Sequence, residues 1–196
     1  MPKGRCAVQD EPTGLRNSAS SDDPDELFDI VDTQDHVIGQ ARRGAVHGNP
    51  SLIHRSVQVL VFDHSGRLLL QRRSRTKDLF PGYHCASASG HVAAGDDYAR
   101  TAAREVSEEL GVSLPLTYLG SAMVHAAIET EITAIYLARS DGPFVFHPTE
   151  TDGGAFITRT DIAAGCAAGS LQLTPALQVA LDALDASHQA LSIGWS

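Results

Sequence analysis

From His54 onward, Val57, Val59 and Val61 alternate with Ser56, Gln58 and Leu60. A period of two predicts a strand, and the apolar Leu60 on its second face predicts burial on both sides. Asp63-His64-Ser65-Gly66 turns the chain, and residues 67–73 return as a second strand. Upstream, residues 26–32 and 36–42 predict an opening hairpin around Thr33-Gln34-Asp35, followed by a linker over 43–52 that holds His47. Pro81-Gly82 marks another turn, after which residues 83–89 predict a strand.

Residues 90–112 switch to helical spacing. At about 100° per residue, Ala99, Ala102, Ala103, Val106 and Leu110 fall on one stripe, and Glu105, Glu108 and Glu109 gather on the adjacent arc. Strands are expected over 116–127, 131–138 and 153–157, and a short helix over 161–168 with Asp161 as its cap. Thr174 and Pro175 open a last helix, through about residue 190, with Leu177, Leu181 and Leu184 on one face. Strands on both sides of a central helix, with a terminal helix, imply a layered α/β (α+β) domain.

Length and composition narrow this picture. With 196 residues, 42% hydrophobic and 20% charged, the chain has material for one domain with a substantial core. Residues 1–24, rich in Ser, Asp, Pro and Gly without periodicity, are expected to form a loose tail, leaving 25–192 as the domain. A formal charge of −9 argues against nucleic acid as a partner, because such binders neutralise phosphates with Lys and Arg. Cys6, Cys85 and Cys166 are odd in number and form no CxxC, so neither a disulfide framework nor a zinc ribbon is expected, and a reducing cytoplasm fits. No apolar run approaches the roughly 20 residues of a spanning helix, and no signal-peptide core is present, so no membrane partner is expected. Nothing in the pattern fixes the oligomeric state, which leaves a homodimer open.

The acidic arc carries the chemistry. Glutamates at i, i+3 and i+4 repel one another and weaken a helix by some tenths of a kcal/mol per pair, so local stability does not explain Glu105, Glu108 and Glu109. A hard divalent cation does: carboxylates at this spacing suit Mg2+ or Mn2+, which take further ligands from substrate phosphate. Arg104, four residues before Glu108, is placed to fix that carboxylate's rotamer.

This stretch resembles the Nudix box: Gly, five residues, Glu, seven residues, Arg-Glu, an aliphatic, any residue, Glu-Glu, any residue, Gly, aliphatic. Gly90, Arg104, Glu105, Val106, Glu108, Glu109, Gly111 and Val112 match at the required spacing, and Asp96 stands where the pattern has Glu. The resemblance implies an α/β/α sandwich with a mixed sheet, and hydrolysis of a diphosphate linked to an organic group X. It further implies Mg2+ or Mn2+ held by Gly90, Glu105, Glu108 and Glu109, with Glu105 as base or metal-bridging group.

A second constellation overlaps the first. His47, His54 and His91, with Glu129 and Glu131 two apart on one strand face, resemble the metal site of type I isopentenyl-diphosphate isomerases, a Nudix-fold branch. The resemblance implies a second divalent ion, Mn2+ or Zn2+, on these five residues, and a diphosphate grip formed by Arg43, Arg73 and Lys77. Isomerisation needs a proton donor and acceptor on opposite sides of the double bond, and Ser89 stands where that family carries its cysteine. Glu105 and Glu108 replace a basic and an aromatic residue, and Ala176 replaces a tryptophan. The expectation is therefore a Nudix hydrolase that uses Glu105 and Arg104, with Glu131 as rival base. An isomerase-like enzyme acting on an isoprenoid diphosphate is the alternative, and a non-catalytic diphosphate sensor is a third reading.

Overall fold

Asp32 closes the first hairpin by accepting from the backbone N–H groups of Gln34 and His36 at 2.8 and 3.0 Å. In the computed structural model, which describes residues 23–77, 79–147 and 149–195, β1 (Leu27–Val31) and β2 (Val37–Arg42) pair antiparallel on either side of this turn. The tail expected over residues 1–24 lies, through residue 22, outside the described residues, as does Cys6. The expected linker contains one helical turn, α1 (Arg43–Val46), which buries Arg43 and Val46 and delivers His47 from its end.

β3 (Ile53–Phe62) and β4 (Leu68–Arg73) follow as predicted. The single strand expected over 83–89 is instead two short ones, β5 (His84–Cys85) on β4 and β6 (Ala88–His91) on β3. The break has a physical cause in Ser87, which bridges the two strands as they diverge. Its Oγ donates to the Leu69 carbonyl at 2.7 Å and accepts from the Val61 N–H at 2.8 Å.

Then come α2 (Tyr98–Leu110), β7 (Thr117–His125), β8 (Thr130–Arg139) and β9 (Thr151–Ile157). The sheet runs β5-β4-β3-β8-β7, with β6 added on β3 and β9 on β4. The β3–β8 pair is parallel and its neighbours are antiparallel, so the sheet is mixed. β3 and β8 are buried on both faces. Val57, Val59, Val61, Ala134 and Tyr136 meet Ala102, Val106 and Leu110 of α2. Leu60, Phe62, Ile135 and Leu137 face the opposite layer, where α4 (Pro175–Asp185) contributes Leu177, Leu181 and Leu184. The result is the expected α/β/α sandwich.

α3 (Arg159–Ala167) starts earlier than expected, and its cap is Thr158 rather than Asp161. Thr158 Oγ1 accepts from the Asp161 N–H at 3.1 Å and donates to the Asp161 carboxylate at 2.7 Å, which places Asp161 in the first turn. The helix expected to reach residue 190 ends at Asp185, and the chain resumes as α5 (Gln189–Ser192). That break lets Trp195 fold back edge-on to Phe62, with ring centroids 5.4 Å apart, and donate from Nε1 to Asp185 at 3.0 Å. The core therefore extends to Trp195, beyond residue 192. Among the described residues no helix is long and apolar enough to cross a membrane.

Candidate active site

Gly90 is the surface on which the acidic helix rests. A Cβ at this position would lie 2.1 Å from Glu105 Oε1, so only a glycine lets that carboxylate sit against β6. This close approach turns the buried arc of α2 toward its glutamates. Glu105 and Glu109 are 9% and 7% exposed, whereas Ala99 and Ala103, expected on the packed stripe, face solvent. Glu108 also faces outward. Asp97 caps the helix by accepting from the Arg100 N–H, and Gly111 ends it in the left-handed conformation. Asp96, the departure from the Nudix pattern, pairs loosely with Arg100 at 3.6 Å. It is not among the cavity-lining residues, so its shorter side chain leaves the acidic cluster unaltered.

Two buried carboxylates side by side need compensation, and the fold supplies only part of it. Glu109 accepts from Gln71 Nε2 at 2.8 Å and from the Ser89 N–H at 3.1 Å. Gln71 also donates to the Ser87 carbonyl. Arg104 bridges Glu105 and Glu108, at 2.8 Å to each. Burial nevertheless pushes the Glu105 carboxyl up to about 7, with Arg104 opposing and Glu108 adding to the rise. Burial, reinforced by Glu105, pushes Glu109 up to about 8. A pair that holds protons near neutrality for want of positive charge is a fitting receptor for a divalent cation.

The histidine cluster assembles on the opposite face of β6. His54 and Glu131 are register partners across β3 and β8. Ligand atoms of His47, His54, His91 and Glu129 all lie within 4.8 Å of one another. Glu131 Oε1 is 3.0 Å from His91 Nε2 and 3.5 Å from His54 Nε2, and Glu129 Oε2 is 3.7 Å from His47 Nε2. Phe28, fully buried, stacks on His54 at 5.3 Å and tilts against His91 at 5.0 Å, forming an apolar back wall. Burial lowers His91 to about 3, against the opposing pull of Glu131. Burial alone would raise Glu131, but the His54 and His91 imidazoles beside it outweigh burial and keep the carboxylate ionised. A neutral His91 beside an ionised Glu131 is in the protonation state that metal binding needs. Neither ring nitrogen of the fully buried His54 makes a hydrogen bond of ordinary geometry among the described residues. An orphaned imidazole in this setting fits a metal ligand.

Both clusters open into one cavity of about 470 Å3. Arg43, Arg73, Lys77, Ser89, Gly90, His91, Arg104, Glu105, Glu108, Glu109, Glu129 and Glu131 all line it; the fully buried His54 and the partly buried His47 do not. Arg43 contacts Glu26 at 3.1 Å and His91 at 3.4 Å, Lys77 contacts Glu150 at 2.7 Å, and Arg73 Nε donates to the Leu79 carbonyl at 3.0 Å. Glu26, Phe28, Gln71 and Glu150 were not singled out from sequence. Gln71 had a legible signal, a lone amide inside the apolar run LLLQ, whereas Glu150 sits in a stretch without pattern. Ala176, with Thr174 and Pro175 at the start of α4, forms part of the cavity wall. Cys85 also lines the cavity, but burial pushes its thiol up to about 12, so it does not take over the acid–base role of the cysteine missing at Ser89.

Comparison with known proteins shows the family of the chain. The NUDIX domain model matches residues 52–177. An uncharacterized Nudix hydrolase of Yersinia pestis is 35% identical over 142 residues, covering 72% of this chain and 78% of the relative. An isopentenyl-diphosphate Delta-isomerase of Nocardia farcinica is 30% identical over 167 residues, covering 82% of this chain and 95% of the relative. Among solved structures, DR0079 from Deinococcus radiodurans superposes with a TM-score of 0.70 at 28% identity, over 81% of this chain and 99% of that one.

Proposed function

This chain belongs to the Nudix family, and we propose that it is a divalent-metal-dependent hydrolase of a diphosphate linked to an organic group X. The observation that carries this reading is the buried pair Glu105 and Glu109 against Gly90, with the cations Arg43, Arg73 and Lys77 around the same cavity. Glu105, Glu108, Glu109 and the Gly90 carbonyl would hold Mg2+ or Mn2+. When bound, such an ion offsets phosphate charge and acidifies nearby water. Arg43, Arg73 and Lys77 grip the diphosphate oxygens. Water adds to one phosphorus, the P–O bond of the anhydride breaks, and the leaving phosphate keeps the bridging oxygen. Glu105, a carboxylate on the cavity wall, takes the proton from water. Arg104, at 2.8 Å, orients that carboxylate. Glu131 is the rival base, but its 3.0 Å contact with His91 and its lowered pKa commit it to the histidine cluster.

A screen of nucleoside, sugar, coenzyme A and prenyl diphosphates with Mg2+ and with Mn2+, products identified by mass, tests the reading. X-monophosphate plus a phosphate fragment is expected. Isomerised diphosphate with no hydrolysis would instead favour the second reading, an isopentenyl-diphosphate isomerase-like enzyme. The five-residue His/Glu cluster and the likeness to the Nocardia farcinica isomerase speak for that reading. Ser89 speaks against it, because a Ser hydroxyl is a poor replacement for a thiol acid or base. Under either reading His47, His54, His91, Glu129 and Glu131 would hold a second ion, Mn2+ or Zn2+, and neutral imidazole with carboxylate accommodates both. We propose a small-molecule partner and neither nucleic acid nor membrane, in keeping with the net charge of −9.

A further inference from the structure

Arg72 and His84 are register partners across β4 and β5, and the residues next to them in the chain, Arg73 and Cys85, line the cavity described above. Successive strand residues point to opposite faces, so Arg72 and His84 look away from that cavity. They line a second one, of about 360 Å3, whose far wall is the segment 169–172 between α3 and α4. Its chemistry runs against that of the chain. The sequence carries 24 Asp and Glu against 15 Lys and Arg, yet no carboxylate among the described residues lines these walls. Arg55, Arg67 and Arg159 each hold an aspartate, whereas the exposed Arg72 guanidinium makes no hydrogen bond or ion pair among the described residues. Burial holds His84 below the usual imidazole value, with the Arg72 charge adding to the fall and the Gln172 backbone opposing it, so the ring is neutral at pH 7. Its Nδ1 is buried, which leaves Nε2 as the nitrogen that a ligand meets.

We propose that this second cavity is an effector site for a phosphate group, held by Arg72, His84 and the Gln172 amide. Cross-strand partners stand about 5 Å apart, a span that one tetrahedral dianion bridges by accepting from both. The anion supplies the charge that Arg72 lacks, and beside it the His84 ring takes up a proton and donates from Nε2. Gly82 and Gly169 edge the cavity in left-handed turns, and a Cβ at either would meet nothing within 4 Å, so the mouth has room for an organic group beyond the phosphate. The two cavities share a wall. The His84 N–H donates to the Gln172 carbonyl at 2.7 Å, and the Thr174 N–H donates to the His84 carbonyl at 2.9 Å. Thr174, Pro175 and Ala176 then line the first cavity. An anion that draws Gln172 toward Arg72 therefore pulls on the segment that walls the acidic site.

The test is NMR of the full chain without metal, following the histidine rings and backbone amides as inorganic phosphate or ribose 5-phosphate is added at constant pH and ionic strength. The ring signal that vanishes in His84→Asn identifies His84. That signal should move saturably, with half-saturation at roughly millimolar phosphate, and its titration midpoint should rise, because the anion binds the protonated ring. The Thr174 amide should shift in step with it. Tighter binding of ribose 5-phosphate would identify the ligand as an organic phosphate, and equal or weaker binding as the free ion. In Arg72→Gln the half-saturating concentration should rise at least about tenfold, whereas Arg73→Gln, which alters the first cavity, should leave it unchanged. The site is overturned if the His84 signal stays fixed up to about 100 mM phosphate, if chloride at the same ionic strength moves it equally, or if Arg73→Gln abolishes the effect and Arg72→Gln does not. A Thr174 amide that stays fixed while His84 moves would overturn the effector role. No step of this test uses the acidic site, so failure of the diphosphate reading would leave the second cavity standing.

Discussion

Gly90 and Glu105 share a space that holds only one side chain. The Gly90 backbone is not in the left-handed region, so Gly90→Ala is tolerated by the strand, but the added Cβ would fall 2.1 Å from Glu105 Oε1 and drive that carboxylate off β6. Hydrolysis by Gly90→Ala is expected to drop at least about tenfold with an unchanged far-ultraviolet circular dichroism spectrum, which steady-state kinetics on the folded variant would check. Gln71 acts one step behind the site. Its amide is a donor to Glu109, and Gln71→Leu leaves that buried carboxylate with the Ser89 N–H. A cost of about 1–3 kcal/mol in urea unfolding is expected, together with weaker Mg2+ binding. The acidic residues and Gly90 were legible because their spacing is fixed by one helix and one loop. Gln71 and Phe28 reach the site across the sheet; the amide closing the run LLLQ hints at the first, and no local spacing signals the second.

At the scale of elements, periodicity located most strands and both long helices, and it failed where a side chain redirected the backbone. Ser87 splits the strand expected over 83–89, and the Trp195–Asp185 contact follows a break in the last helix. The stripe drawn on α2 failed differently. Ala99 and Ala103 have little apolar area to bury, and the helix instead turns Glu105 and Glu109 inward with Ala102, Val106 and Leu110. A hydrophobic pattern does not reveal carboxylates that are buried to serve a site. The cap of α3 offers a control remote from the cavity. Thr158→Ala removes the reciprocal bond with Asp161 and should cost about 1 kcal/mol of stability. Thermal melting would show that loss, and turnover should match the unmodified chain.

For the whole molecule, the unbalanced charge in the cavity makes stability depend on pH and metal. Glu105 and Glu109 rise from an ordinary value of 4.5 to about 7 and about 8. The folded state therefore binds more protons than the unfolded state, and this contribution, complete below about 4.5, is lost as pH rises through 7 to 8. His91 falls from 6.5 to about 3, so its effect runs oppositely: it favours unfolding in acid and adds nothing further above about 6.5. The metal-free melting temperature should thus decline between pH 6.5 and 8.5, where the two carboxyls titrate without that counterweight. Saturating Mg2+ should flatten the decline by binding only the folded form; calorimetric scans across this range, with and without Mg2+, would check both. The central claim, that α2 seats a divalent ion against a diphosphate, is tested most directly with Glu105→Gln. Using the best diphosphate substrate and saturating Mg2+, phosphorus NMR of the reaction in 18O-labelled water should show label entering one phosphate product with the unmodified chain. The rate for Glu105→Gln should be lower by at least about a hundredfold, with its melting temperature retained. Equal rates of label entry in the two proteins would contradict the account.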